Sequence, residues 1–145
     1  MKITYVFAIA FIVLSACGKS ANHEEYTKTE AENPNEALYE QVMDVHDEVM
    51  PKSDQLYSLK KELLEKLKNK DLPNEAKKHI DTIIQELDSA DHAMMDWMHR
   101  FRPLPDSANR EAAREYLEDE MLKIKKVREL TFNSLQKAKD ELGKK

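Results

Sequence analysis

The sequence predicts an all-α protein, an elongated antiparallel bundle of three helices that run up, down and up again. Three observations lead to this fold class. Leu, Glu, Lys and Ala dominate, charged residues make up 35% of the chain, and glycine occurs only 2 times. Apolar residues recur every three or four positions over long stretches, as they do on one face of a helix. Prolines and short polar turns divide these stretches into three.

Residues 1–16 are predicted to be a cleaved export signal. Lys2 supplies the positive charge at the start, and an almost unbroken apolar run follows it over residues 3–14. Residues 14–17 read LSAC, which matches the lipobox of bacterial lipoproteins. The apolar run is about half the length that spans a bilayer, so a permanent transmembrane helix is not expected. Cys17 is therefore predicted to carry the lipid; the alternative is an ordinary secretory signal with a chance cysteine at its end.

A lipid on Cys17 would hold the protein at a membrane surface. Gly18 follows it, and not the Asp that retains enterobacterial lipoproteins in the inner membrane, so we expect the outer membrane, facing the periplasm. With its single thiol acylated, the mature chain has no disulfide, thiolate metal ligand or cysteine nucleophile. Residues 17–33 are predicted to be this lipidated cysteine and a disordered polar tether, and residues 34–145 to be the bundle.

Charge and glycine content exclude several classes of function. Removal of Lys2 with the signal changes the formal net charge from −5 to −6, and this mild acidity argues against nucleic acid as a partner. Gly18 and Gly143 are the only glycines, so a glycine-rich nucleotide-binding loop is excluded. No acid pair or activated nucleophile stands out, and we expect no enzyme. The expected partners are the membrane, through the lipid, and a protein of the envelope.

The first helix is predicted over about residues 34–70. Asn33 is a suitable cap, and Pro34 suits the first helical position. Pro51 lies inside the helix and removes the hydrogen bond to the carbonyl of Asp47. The apolar pattern continues across this proline, which favours one kinked helix over two separate ones. The predicted inner face of this helix consists of Leu38, Val42, Val45, Val49, Leu56, Leu59 and Leu63.

The second helix is predicted over about residues 73–102 and the third over about residues 106–142. Pro103 and Pro105 stop the second helix, and Asp106 or Ser107 is the expected cap of the third. Short turns between long helices allow only an up-down-up order. The predicted inner faces comprise Ile80, Ile83, Ile84, Leu87, Met94, Trp97, Met98 and Phe101 in the second helix, and Leu117, Met121, Ile124, Val127, Leu135 and Leu142 in the third.

Methionine is concentrated in two short stretches, residues 43–51 and 94–99. In a hairpin that turns near residue 71, facing positions sum to about 143, so His46 should lie level with Trp97. The two stretches would therefore meet at one end of the bundle, where the start of the third helix closes over them.

Three interpretations of this end stay open. The first is a core in which methionines fill an irregular, kinked region and His46 bonds to an acid such as Asp91. The second is a Cu(I) site, because thioether and imidazole groups suit a soft metal. The third is a groove in which methionines adapt to a protein partner. The candidate copper ligands are Met43, His46, Met50, Met94, Met98 and His99. The candidate partner-binding residues are Met95, Trp97 and Phe101.

His92, Asp96 and His99 are predicted to share one face of the second helix, where they form either a divalent-ion site or a solvated polar stripe.

The preferred function is a non-enzymatic, membrane-anchored envelope lipoprotein that acts as an interaction or structural module, without a cofactor. The alternative is a periplasmic copper-binding protein.

Residues 43–52 and 94–101 resemble the corresponding segments of a family of small bacterial helical lipoproteins. Genome sequences label these proteins loosely as viral A-type inclusion proteins, a name that carries no mechanism. The resemblance covers about residues 36–145. It implies a lipoprotein with a helical bundle and implies no particular chemistry.

Overall fold

A computed structural model describes residues 34–104 and 109–143 of the chain. Within these ranges the all-α fold class is confirmed, and no strand is present. No helix in the same ranges is long and apolar enough to cross a bilayer. The predicted signal, the predicted lipid site at Cys17 and the predicted tether lie outside the described residues. The helices are α1 (Pro34–Val49), α2 (Ser53–Leu67), α3 (Asn74–Arg100) and α4 (Arg110–Gly143), with a 3-10 turn (Met50–Lys52) between α1 and α2.

The predicted first helix is divided at Pro51. The regular hydrogen-bonding pattern of α1 stops at Val49, and the Ser53 N–H bonds back to the Met50 carbonyl as in a 3-10 turn. The backbone stays in the right-handed helical region on both sides, at φ −90° for Val49 and φ −55° for Ser53. Because the chain keeps its helical direction, Val49 and Leu56 are buried in the same bundle.

Contacts between helices define their directions. Asn35 at the start of α1 donates a hydrogen bond to the Arg110 carbonyl at the start of α4, at 2.8 Å. Lys66 near the end of α2 donates to the Glu141 carboxylate near the end of α4, at 2.9 Å. The pair formed by α1 and α2 therefore lies parallel to α4. The Lys60 ammonium contacts the Asp88 carboxylate at 2.6 Å, which places α3 beside α2.

The start of α4 differs from the sequence-based prediction. Residues 105–108, which include the predicted caps Asp106 and Ser107, lie outside the described residues. The cap is Asn109, whose side-chain oxygen accepts hydrogen bonds from the N–H groups of Glu111 at 3.0 Å and Ala112 at 3.2 Å. An asparagine at this position satisfies two of the backbone donors that a helix start leaves unpaired.

The core consists of two separate clusters, one at each end of the bundle. The aliphatic half, as we call the first, contains Leu56, Leu59, Leu63, Ile80, Ile83, Ile84, Leu87, Ala90, Leu135 and Ala138. The second, the methionine half, contains Val42, Val49, Met94, Trp97, Phe101, Met121, Ile124 and Val127, with Met43, Met50 and Met98 packed against it. The predicted inner faces are confirmed, since their residues are all buried or half-buried.

Candidate functional site

The thioethers of the described residues are concentrated at one end of the bundle. Of the 7 methionines, Met1 begins the chain. Five of the others pack in or against the methionine half, and Met95 follows Met94 on the same turn of α3. The aliphatic half is built from Leu, Ile and Ala without methionine. The cores at the two ends of the bundle thus differ sharply in the flexibility and polarisability of their side chains.

His46 lies at the centre of this end. Its Nδ1 is 2.9 Å from Asp47 Oδ1, and its Nε2 is 3.2 Å from Met98 Sδ. Only 17% of the His46 side chain is exposed. The sequence predicts an acid such as Asp91 beside His46. In the structure the acid that contacts His46 is Asp47, the next residue in the chain. Both ring nitrogens of His46 therefore face hydrogen-bond acceptors.

A neutral imidazole has one N–H to share between these two acceptors. The carboxylate of Asp47 is the stronger acceptor because it is charged, so the proton belongs on Nδ1. The lone pair of Nε2 then faces the lone pairs of the Met98 sulfur at 3.2 Å. In this tautomer the contact between Nε2 and the Met98 sulfur is not a hydrogen bond, and the lone pairs of both atoms are free to bind a soft cation.

Aromatic rings surround His46 and fix the position of α3 against its neighbours. The His46 and Trp97 ring centres lie 5.7 Å apart, which agrees with the predicted register. Trp97 stacks on Phe101 at 4.8 Å, and Phe101 contacts Tyr116 of α4 at 6.1 Å. The Tyr116 hydroxyl accepts a hydrogen bond from the Arg102 N–H at 2.8 Å and so holds the chain where α3 ends. The start of α4 thus covers this end, as predicted.

The structure separates the candidate partner-binding residues. Trp97 and Phe101 are 6% and 9% exposed, whereas Met95 is 39% exposed. Of the three, Met95 alone can touch a partner without rearrangement of the core.

The structure also separates the candidate copper ligands. Met94 is buried at 2% exposure. Met43, His46, Met50 and Met98 are half-buried. His99 is exposed, and in the described ranges no hydrogen bond or ring contact joins its side chain to His46.

The polar stripe of His92, Asp96 and His99 remains on the surface of α3. His92 Nδ1 is 2.7 Å from the Asp88 carbonyl, and the Asp96 carboxylate is 3.5 Å from the Arg100 guanidinium. Among the described residues, no group of three or more His, Cys, Asp or Glu side chains is arranged to hold a metal ion.

Charge pairs hold the opposite flank of α1 against α4. Arg128 donates two hydrogen bonds to the Glu48 carboxylate, at 2.6 and 2.7 Å. These bonds lower the pKa of the Glu48 carboxyl and raise the pKa of the Arg128 guanidinium. Beside Trp97, a shallow groove of about 280 Å³ lies between α3 and α4. Glu120 lines this groove, and its hydrogen bond raises the pKa of Lys123.

Comparison of the chain with known protein families, with curated proteins and with solved structures finds no match.

Proposed function

We propose that this protein is a non-enzymatic, membrane-anchored lipoprotein of the bacterial envelope whose helical bundle is an interaction or structural module. One observation carries the proposal: every methionine of the described residues lies at the same end of the bundle. These unbranched, adaptable side chains also fill the irregular core beside Pro51. Methionine-rich surfaces can repack against differently shaped partners, which is the property that an interaction module needs.

The contact surface that we propose lies on the side where α1 faces α3. The backbones of these two helices stay further apart than those of the other adjacent helix pairs. The half-buried side chains of Met43, His46, Met50 and Met98 lie on this side, with the exposed Met95 on α3. A partner can gain apolar contact there because these side chains are flexible enough to move aside.

Photo-crosslinking in living cells tests the contact surface. A photoreactive phenylalanine analogue replaces Met95 in one strain and Tyr57, which is 72% exposed in α2, in a control strain. We expect one defined crosslinked product at position 95 and none of the same mass at position 57. Identical products at both positions, or none at position 95, would contradict the proposed surface.

A separate experiment tests the anchor. We expect Cys17→Ser to abolish incorporation of labelled palmitate and to move the protein from the membrane fraction to the soluble periplasmic fraction. Persistent lipid labelling of the variant would contradict lipidation at Cys17. Separation of inner and outer membranes of the unsubstituted strain tests the proposed outer-membrane location.

A second candidate function is copper binding, and the contact between His46 and Met98 favours it. With bonds as long as those of zinc to nitrogen and sulfur, about 2.0 and 2.3 Å, a tetrahedral ion holds its two ligand atoms about 3.5 Å apart. His46 Nε2 and Met98 Sδ lie 3.2 Å apart, close to that spacing. Imidazole and thioether together suit Cu(I), and the proposed location outside the cytoplasm is compatible with copper handling.

Competition with a coloured Cu(I) chelator under reducing conditions tests this candidate on the detergent-solubilised protein. We expect uptake of one Cu(I) ion and at least tenfold weaker uptake by Met98→Leu. Met121→Leu is the matched control, because Met121 is buried in α4 in the same half of the core. Absence of uptake, or equal uptake by all three proteins, would remove copper binding from consideration.

A further inference from the structure

The contact between α1 and α3 is the loosest interhelical contact in the methionine half. α1 is bound to α4 by two strong polar contacts, from Asn35 to the Arg110 carbonyl and from Arg128 to Glu48. Towards α3, the single side-chain hydrogen-bond contact of α1 in the described ranges is that of His46 with Met98. The backbones of α1 and α3 also approach each other less than those of the other neighbouring helices.

The connection of α1 to the rest of the chain permits movement. α1 has 16 residues and continues into α2 through the 3-10 turn at Met50–Lys52. Pro51 in this turn has no N–H to donate, so the helical hydrogen-bond ladder is interrupted at that position. A short helix with an interrupted ladder, joined to α3 mainly by side chains such as the rings of His46 and Trp97, opens at a lower free energy than the body of the fold.

We propose that a soft monovalent cation bound by His46 and Met98 fastens α1 to α3. The proposal rests on the copper-binding candidate function and adds a consequence for the fold. His46 belongs to α1 and Met98 to α3, so an ion that bonds to both joins the two helices directly. A bound ion also occupies the sulfur of Met98, which belongs to the proposed contact surface. The ion and a protein partner therefore compete for this side of the bundle.

The remaining ligands come from α1 itself. Met43 and Met50 lie three residues before and four residues after His46, so they share its face of the helix. Both pack against the methionine half, as Met98 does. An ion bound to His46 and Met98 therefore has a thioether one turn away on either side, which provides the three or four donors that a soft ion takes.

Hydrogen–deuterium exchange with Ag(I) as the probe tests the proposal on the detergent-solubilised protein. Ag(I) is a redox-inert soft cation, so oxidation does not confuse the result. When the ion binds only the closed form, it suppresses opening by a factor of one plus the ratio of the free Ag(I) concentration to Kd. At free Ag(I) ten times its dissociation constant, we expect the amides of α1 to exchange about tenfold more slowly. Amides of α2 should keep their rates.

Variants and native mass spectrometry separate the possible results. We expect Met98→Leu and His46→Leu to lose the protection of α1, and Met121→Leu to keep it. If Ag(I) binds at one equivalent but α1 exchanges at its metal-free rate, the fastening of α1 is wrong and the metal-binding function stands. If no ion binds, both are wrong. Equal protection in the Met98→Leu and His46→Leu variants, each with unchanged helix content, would also overturn the proposal.

Discussion

Trp97 combines a large apolar ring with an N–H group that is buried. Among residues 34–104 and 109–143 its Nε1 has no hydrogen-bond partner, and the side chain is 6% exposed. A buried donor without an acceptor costs about 1–3 kcal/mol. The stacking on Phe101 at 4.8 Å and the burial of the apolar ring stabilise the fold and offset this cost. The ring rather than the N–H group therefore accounts for the stabilising contribution of this residue.

Substitution of Trp97 separates these two contributions. Trp97→Phe keeps a stacked ring and removes the unpaired donor, which offsets part of the cost of the smaller volume. We expect it to lower the free energy of unfolding by no more than about 1 kcal/mol, against about 3–5 kcal/mol for Trp97→Ala. Urea unfolding followed by circular dichroism measures both. If the phenylalanine variant is as unstable as the alanine variant, the indole N–H makes a bond that the fold requires.

The ion pair of Glu48 and Arg128 makes stability depend on pH in the acid range. Because the pKa of Glu48 is lowered in the folded state, the unfolded chain binds its proton more readily. The pair therefore stabilises the fold above the ordinary carboxyl pKa, and this stabilisation disappears as the pH falls through the lowered value. We expect Glu48→Gln to make the midpoint of urea unfolding less dependent on pH in that window. Arg128→Gln should flatten it equally, and the double variant no further.

The sequence predicted which residues meet around His46 only in part. Helical periodicity places His46 and Trp97 level with each other because the register of a hairpin follows from its turn. It does not decide which acid the imidazole faces. In the structure Asp91 lies beside Leu56 and Lys60, whereas Asp47, the next residue in the chain, contacts His46. The choice of Asp47 depends on side-chain conformations that no spacing rule contains. The contribution of Asp47 to the site was therefore missed.

At the scale of the helices, the break between α1 and α2 depends on one residue. Pro51 is exposed, and the residues on either side of the 3-10 turn keep helical dihedral angles. An N–H at position 51 could bond to the Asp47 carbonyl and close the gap in the helical ladder. The interruption thus reflects the missing donor more than a bend required by the core.

Pro51→Ala should restore the ladder. We expect the amides of residues 51–54 to exchange more slowly with solvent and α1 to continue into α2 without a 3-10 turn. The change in the free energy of unfolding should stay within about 1 kcal/mol, because the new hydrogen bond is offset by the greater freedom of the unfolded chain. Amide exchange by nuclear magnetic resonance tests this expectation. Unchanged rates in these residues would show that packing, and not the proline, breaks the helix.

The helices were largely predictable from the sequence, and their exact starts were not. Long apolar stripes fix which face of each helix is buried, because burial of that face stabilises the bundle far more than local propensity does. The start of α4 was placed too early because Asp106, Ser107 and Asn109 are all good caps. Which of them caps the helix depends on how the loop packs, as with the contact of Tyr116 to the Arg102 backbone.

Across the whole molecule, a polar layer separates the two halves of the core. Thr131 and Ser134 are buried in α4 between the methionine half and the aliphatic half, at 1% and 2% exposure. Within the part of the chain that the structure describes, the Thr131 hydroxyl has no hydrogen-bond partner, whereas Ser134 donates to the Thr131 carbonyl at 3.0 Å. On the opposite side of the bundle, the gap between Val49 and Leu56 contains the 3-10 turn. Apolar contact is thus interrupted in α4 and at the junction of α1 and α2, while the buried residues of α3 continue from Ala90 to Met94.

This layer weakens the coupling between the halves. Hydrophobic contacts that pass from one cluster to the other would make both unfold together, and a buried hydroxyl in their place contributes little. The methionine half contains the short helix α1 and the flexible thioethers, so it should lose its structure first. Trp97, the single tryptophan of the chain, reports on this half, whereas circular dichroism reports on all helices.

Urea unfolding monitored by both signals therefore tests the independence of the halves. We expect the fluorescence midpoint of the unsubstituted protein to lie at lower urea than the circular dichroism midpoint. Thr131→Val removes the unpaired hydroxyl and adds apolar contact between the clusters, so it should stabilise the fold by about 1 kcal/mol and bring the two midpoints together. Thr82→Val, at an exposed position of α3, is the matched control and should leave their separation unchanged. Coincident midpoints in the unsubstituted protein would show that the two clusters unfold as one unit despite the polar layer between them.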